Sequence, residues 1–431
     1  MGRRIVWGMI LCALITSLSA GCSGNRIIDR RNQVENLHEN DRVEIVFWHT
    51  YSEEETRVFE TEVLPRFHEQ HPDIIVKPER VYHTNELKHT LIGRATSNNP
   101  PDVVRLDIAW VPQFASLGVI LPVDSFADFQ AVRKKLNSSA LETGYLNGRY
   151  YSLPLNMNTK AAIYNRQMLL EAGLARPPQS MEEVIEIARE HGWTIGMSNV
   201  HPWSSLPYLY SLGGRLTNDD YTHSSGYLDS EATVAALTTL HELYVEGVLN
   251  PELFSTDFDG WNGVIRGDVF MIEEGPWFYS ILGNDPAAKI DVFATTVVAP
   301  FPSAHGPASI LGGENLVIMK SARNLDAVWT FMMWMTDKEA QLMMFKTGMI
   351  PTNEEAASHV FTGEHEQYIN VYVESMQSVF LRPPIADLDA VEELFVKMMN
   401  NIFIHQRPVA DEAAAIARQI DRILADAKGK T

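Results

Sequence analysis

An α/β fold of two or three domains is what the sequence predicts, and three observations predict it. From Val43 onward, short apolar runs alternate with helical segments, the pattern of a mostly parallel sheet with covering helices. The chain has 431 residues, 45% hydrophobic and 21% charged, a balance that supports a large soluble core. That length fits two or three units of roughly 100–200 residues each. Ahead of Val43 stand a short apolar run and a polar stretch, neither of which can bury enough surface to fold alone.

The N-terminus reads as an export signal. Arg3 and Arg4 precede an apolar core from Ile5 to Ile15, and small residues then lead to Cys22. The apolar run is short of the about 20 residues that a membrane span needs, so it predicts a secretory signal peptide. Leu18-Ser19-Ala20-Gly21-Cys22 resembles a bacterial lipobox, which implies that Cys22 is diacylated and becomes the mature N-terminus. A plain signal with an incidental cysteine is the other reading. The second cysteine, Cys12, lies inside the leader, so no internal disulfide is expected after export. Residues 23–41 are polar and charged, the composition of a flexible tether.

The folded part begins with a strand over Val43–Trp48, and Ser52 with Glu55 forms a capping signature for a helix from Glu53 to about His71. Further strands are expected over Ile74–Val81 and Asp102–Ile108, with helices at Glu86–Thr96 and up to Gly118. Asn147-Gly148 predicts a hairpin turn. Helices follow after Ser180, over Asp229–Gly247, over Leu325–Met335 and Lys338–Thr347, and from Asp411 to Ala427. The run from Val328 to Trp334 reads as core.

Chemistry-bearing motifs are sparse. A net charge of −20 lacks the Lys/Arg footprint that nucleic acid requires. No nucleophile elbow, P-loop or dinucleotide fingerprint is present. His68 and His71 are too closely spaced for a zinc helix, and the Asp257–Gly263 loop places Gly260 too early for calcium and lacks a closing Glu. No metal or cofactor is therefore expected. No carboxylate pair can be assigned as the acid and base of glycoside hydrolysis.

Aromatic residues remain. Trp48, Trp110, Trp203, Trp261 and Trp277 are read at turns, most of them beside polar groups: His49 and Tyr51, Asp107, His201, and Asp259 with Asn262. An indole suits the C–H face of a pyranose, and its hydroxyls need planar hydrogen-bonding partners. A phosphate ligand would call for Gly-rich or Arg-rich loops instead.

The segments "VEIVFWHTYSEEE", "PDVVRLDIAWVPQFASLGVILPVD", "NGRYYSLPLNMNTKAAIYN", "GDVFMIEEGPWFYS" and "LGGENLVIMK", in this order after a lipoprotein-like leader, resemble the family 1 extracellular solute-binding proteins. These are the sugar-capturing lipoproteins of bacterial ABC importers, similar in plan to maltose-binding protein. The resemblance covers nearly all of the chain from Val43 to Ala427. It implies a type II periplasmic-binding-protein-like fold with two α/β domains, residues 42–155 with 300–348 and residues 156–299 with 349–428. Crossings are expected near Leu153–Asn158, Val298–Pro300 and Thr347–Pro351, with the ligand in a cleft between the domains. Carried onto this chain, the resemblance places Trp48, His49, Tyr51, Asp107 and Trp110 on one wall and Asn156 at the floor. Trp203, Trp261 and Trp277 come from the second domain, while Glu314, Asn315 and Arg382 reach the cleft from late segments. The implied protein is a lipid-anchored, extracytoplasmic monomer that delivers a sugar or oligosaccharide to a permease and is not an enzyme. A secreted carbohydrate hydrolase or lyase would use the same aromatic platforms, and a surface adhesion module is the third reading.

Overall fold

The computed structural model describes residues 42–96, 100–283, 291–363 and 366–429. The leader, the tether and both cysteines, with the expected processing site at Cys22, lie outside the described residues. From Val43 on, the chain forms one compact unit containing two main sheets.

Strand β1 (Val43–His49) lies between β2 (Ile74–Arg80) and β3 (Val103–Asp107) and is parallel to both. A small hairpin, β4 (Tyr145–Leu146) and β5 (Arg149–Tyr150), turns at Asn147 and Gly148, both with positive φ, as the sequence predicts. Strand β6 (Leu153–Thr159) belongs to the first sheet, and β7 (Ala161–Asn165) opens the second after a single intervening residue, Lys160. The second sheet is completed by β8 (Ile195–Gly196), β9 (Met271–Glu274) and β10 (Thr296–Ala299), in the order β10-β7-β9-β8. Strand β11 (Ser309–Ile318) returns to the first sheet, followed by β12 (Ile350–Pro351) and β13 (Val379–Phe380), the latter pairing with β11. The first sheet runs β12-β6-β11-β3-β1-β2.

The sheets are mixed, where the strand–helix alternation predicts mostly parallel ones. Among the named strands of the described residues, β2-β1-β3, β8-β9 and β11-β13 pair in parallel, while β11 runs antiparallel to both β3 and β6. The alternation is a local signal, and β11 rejoins the sheet after a long excursion that such a signal does not encode. Strand β6 also stays paired with β11 as far as Thr159, past the expected boundary at residue 155.

Helix α1 (Glu53–Val58) begins with the predicted capping box: Ser52 Oγ accepts from the Glu55 amide, and the Glu55 carboxylate accepts from the Ser52 amide. It continues through a π turn at Phe59–Val63 into α2 (Leu64–Gln70). Helices α3 (Asn85–Thr96) and α4 (Val111–Ser116) follow β2 and β3. Later come α5 (Pro202–Ser211), α6 (Glu231–Glu246), α7 (Gly260–Arg266), α8 (Trp277–Leu282), α9 (Leu325–Met335), α10 (Leu388–Phe403) and α11 (Val409–Gly429). Helix α6 ends at Gly247 in the left-handed conformation, the predicted stop.

Both faces of β1 are covered. Side chains alternate along a strand, so Phe47 meets Phe59 at 5.6 Å and Phe331 of α9 at 5.2 Å. Trp48 points the other way, packs with Leu91 of α3 and Phe114 of α4, and carries the Arg94 guanidinium 4.5 Å from its ring centre. The second sheet has its own core, with Tyr164, Phe270, Leu240 of α6, Phe395 of α10 and Ile420 of α11. Lys160, between the sheets, is 3% exposed and lies 3.5 Å from Glu273 and 3.7 Å from Glu274. Among the described residues no helix is long and apolar enough to cross a membrane.

Candidate functional site

A cavity of about 970 Å³ is lined from both sheets and their helices. Its floor is a buried polar network. Arg105 and Asp107 are two residues apart on β3, and Glu314 of β11 is paired opposite Asp107 in the antiparallel register. Arg105 Nη2 donates to Glu314 Oε2 at 2.7 Å and to Asn156 Oδ1 at 3.3 Å, while Nη1 donates to Thr50 Oγ1 at 2.6 Å. Asn156 Nδ2 donates to the same Glu314 oxygen at 2.7 Å. Burial pushes the Glu314 carboxyl above its ordinary range, against the pull of Arg105. The guanidinium of Arg105 also lies 4.7 Å from the centre of the Tyr51 ring.

The strand that carries Glu314 owes its geometry to Gly313. Its φ is +142°, and a Cβ there would stand 2.2 Å from the Asn156 carbonyl oxygen. Only glycine fits that approach, and the register of β11 on β6 shifts just after Glu314. Glu314 therefore faces the cavity while Asn315 does not.

One wall holds Asp107, His83 and Trp110. His83 Nε2 is 3.1 Å from Asp107 Oδ2, and its ring stacks on Trp110 at 4.7 Å with 10° between the planes. Burial opposes charge on His83, but the Asp107 carboxylate outweighs it and raises the imidazole pKa. Burial likewise works against charge on Asp107, yet His83 and Arg382 hold its carboxyl below its ordinary value. Lys88 of α3 forms an ion pair with Asp389 of α10, which joins an element of each sheet's surroundings.

The facing wall holds Trp203, Arg382 and Trp277. Trp203 sits in the first turn of α5, with Arg382 at 5.5 Å and Lys160 at 5.6 Å from its ring centre. Arg382 donates to Glu392 Oε1 at 2.9 Å, and His201 Nε2 lies 3.4 Å from the other Glu392 oxygen. Burial resists the Glu392 charge, but His201 and Arg382 lower its pKa on balance. Trp277 is the first residue of α8, half-buried, and its indole lies so close over Gly275 that a Cβ there would be 2.2 Å away.

Of the residues expected in the site, Tyr51, Asp107, Trp110, Asn156, Trp203, Trp277, Glu314 and Arg382 line this cavity. Trp48, His49, Trp261 and Asn315 do not. Trp48 is held in the core between β1 and its covering helices. His49 is 0% exposed, and burial first, then Arg105, lowers its pKa to about 3. Its Nδ1 accepts from the Tyr51 amide, so it acts on the turn rather than on the cavity. Trp261 is tied to Glu274 by a 2.7 Å hydrogen bond from Nε1 and packs edge-on against Phe278. Asn315 Nδ2 donates to Thr143 and Ser152 in the core. The expectation that these tryptophans sit at turns is also revised: Trp48 is a strand residue, and Trp203, Trp261 and Trp277 open helices.

Sequence reasoning missed Arg105, His83, Lys88 and Glu392. For Arg105 the signal was present, since Arg105 and Asp107 share one face of a strand by the period of two. Among the described residues there is no cluster of three or more His, Cys, Asp or Glu side chains that could hold a metal ion.

Residues 62–368 match the family described as bacterial extracellular solute-binding protein. The chain is 23% identical over 361 residues to a maltotriose-binding protein of Pyrococcus abyssi, covering 80% of this chain and 74% of that one. It is 21% identical to a maltooligosaccharide ABC transporter solute-binding lipoprotein of Streptococcus pneumoniae, over 68% of this chain and 70% of that one. In structure it is similar to the GacH receptor of Streptomyces glaucescens, solved unliganded and with acarbose. That likeness has a TM-score of 0.73 and 27% identity, and covers 88% of this chain and 98% of the other.

Proposed function

We propose that this chain, which belongs to the bacterial extracellular solute-binding proteins, captures a neutral oligosaccharide in the cavity and delivers it to an ABC permease. The observation that carries this reading is the pairing of charges around the aromatic platforms. Arg105 meets Glu314, Arg382 meets Glu392, Lys88 meets Asp389 and His83 meets Asp107. Each of these four cations already has its carboxylate, so the floor and walls that they form offer hydrogen-bonding groups and apolar faces rather than a cation held open for a phosphate. The Tyr51 hydroxyl and Asn158 Oδ1, both on lining residues, are buried without a protein hydrogen-bond partner. A cavity of about 970 Å³ is at the upper end of the roughly 300–1,000 Å³ typical of small-molecule sites, which favours an oligosaccharide over a single ring. Asp107, Glu314, Asp389 and Glu392 are each held by a cation, which favours reversible capture over hydrolysis.

In this reading the two sheets are the cores of two lobes, with β6, β12 and β13 kept in the first. The chain passes directly from one to the other at Lys160. Ligand held between them favours the closed arrangement. A thermal-shift screen against sugars is the direct test. A ligand at 100 times its Kd should add about 2.7 kcal/mol of stability, and the hit should reduce the radius of gyration in small-angle scattering. Stabilisation by sugar phosphates or glycerophosphodiesters, with none by neutral oligosaccharides, would overturn the reading.

The lipid anchor and monomeric state are part of the same proposal. A short apolar leader ending in small residues before Cys22 supports diacylation there. Cys22→Ala is then expected to release the protein from membranes or block its processing. An Ala variant that matures normally and still sediments with membranes would contradict the anchor.

A further inference from the structure

Two large apolar side chains stand in solvent at the mouth of the cavity. Tyr82 is 76% exposed and Ile281 is 43% exposed, and both line it. Tyr82 follows β2 in the first sheet, and Ile281 belongs to α8 beside the second. Ile281 is four residues after Trp277 on α8, so the two share a helix face that leads from the cavity wall to the rim. Neither Tyr82 nor Ile281 belongs to a core cluster.

The Tyr82 ring is nonetheless held in place. The Arg80 guanidinium lies 5.6 Å from its centre, and Arg80 Nε donates to the Tyr51 carbonyl at 2.8 Å. Tyr51 is itself part of the cavity wall. An exposed aromatic braced in this way from one side presents its ring without help from the core. Folding gains little from it, whereas a sugar ring leaving the cavity would find an apolar face.

We propose that Tyr82 is an outer sugar platform, with Ile281 on the other lip, and that it reads the length of a linear oligosaccharide whose inner units fill the cavity. The proposal rests on the oligosaccharide reading above and adds a second contact zone to it. Units that reach beyond Trp277 stack on Tyr82, so long ligands gain affinity that short ones do not.

Calorimetry on the full chain with two linear series, α-glucans and chitooligosaccharides from disaccharide to heptasaccharide, tests this. In the series that binds, Tyr82→Ala should weaken the longer members about tenfold, one stacking contact's worth, and leave the disaccharide unchanged. Tyr82→Phe, which keeps the ring, should retain the length preference. The melting temperature of Tyr82→Ala without ligand should equal that of the wild type, given its exposure. An equal loss at every length would make Tyr82 part of the inner site and overturn the inference, as would no loss at any length. A wild type that binds neither series overturns the oligosaccharide reading and this inference with it.

Discussion

Glu314→Ala is expected to lower folding stability by about 3–5 kcal/mol, because removing one member of a buried ion pair strands the other. The Arg105 side chain is 5% exposed and that of Glu314 is 14% exposed. Without the carboxylate, Arg105 keeps its bonds to Thr50 and Asn156 but loses its only neutralising contact within 4 Å among the described residues. Asn156 loses an acceptor at the same time. The cavity admits some solvent to the guanidinium, so the lower half of that range is the better expectation. Urea unfolding of the ligand-free protein measures it. Replacing both partners with apolar residues of similar size should cost less than the single change, since the stranded charge is gone. A single-variant loss under about 1 kcal/mol, the value of an exposed pair, would show that Arg105 is hydrated from the cavity. Sugar affinity should collapse in either case, because the floor loses its acceptor.

Trp277→Ala is expected to weaken sugar binding by at least about 2 kcal/mol, or roughly thirtyfold. Pro276 ends the approach from β9, and the indole begins α8 folded over Gly275. That support is rigid, yet the side chain is only half-buried and faces the cavity. A core tryptophan would instead cost about 3–5 kcal/mol of stability when truncated. Melting of the ligand-free variant and titration with sugar separate the two roles. A strongly lowered melting point with wild-type affinity would remove Trp277 from the site.

The sequence revealed the elements of this fold better than their partners. Capping at Ser52, the Asn147-Gly148 turn and the Gly247 stop are local, and each stands where the residues predict it. The antiparallel β11 between β3 and β6 depends on pairing across distant segments, which no local pattern carries. The same limit governs the cavity. Trp48 and His49 read as an exposed strand end because nothing nearby announced that α3, α4 and α9 cover both faces of β1. Glu314 and Asn315 are both expected in the cleft, but strand alternation allows only one of two neighbours to face the cavity. The pairing of Arg105 is not legible in the sequence, because a charged residue inside an apolar strand finds its partner, Glu314, only through the sheet.

Divergence of this chain is channelled by where its cavity residues sit. At the floor, Gly313 admits no side chain, and Arg105, Asn156 and Glu314 hold one another. Change there is paid for in folding, and accepted variants must arrive together. At the mouth, Tyr82 and Ile281 are exposed and lie outside the core clusters, and surface substitutions of that kind usually stay within about 0.5 kcal/mol. Mutation can therefore explore the rim freely while the floor stays fixed. Relatives built on this plan would come to prefer different sugars first by their outer units, and only rarely by the ring that lies deepest.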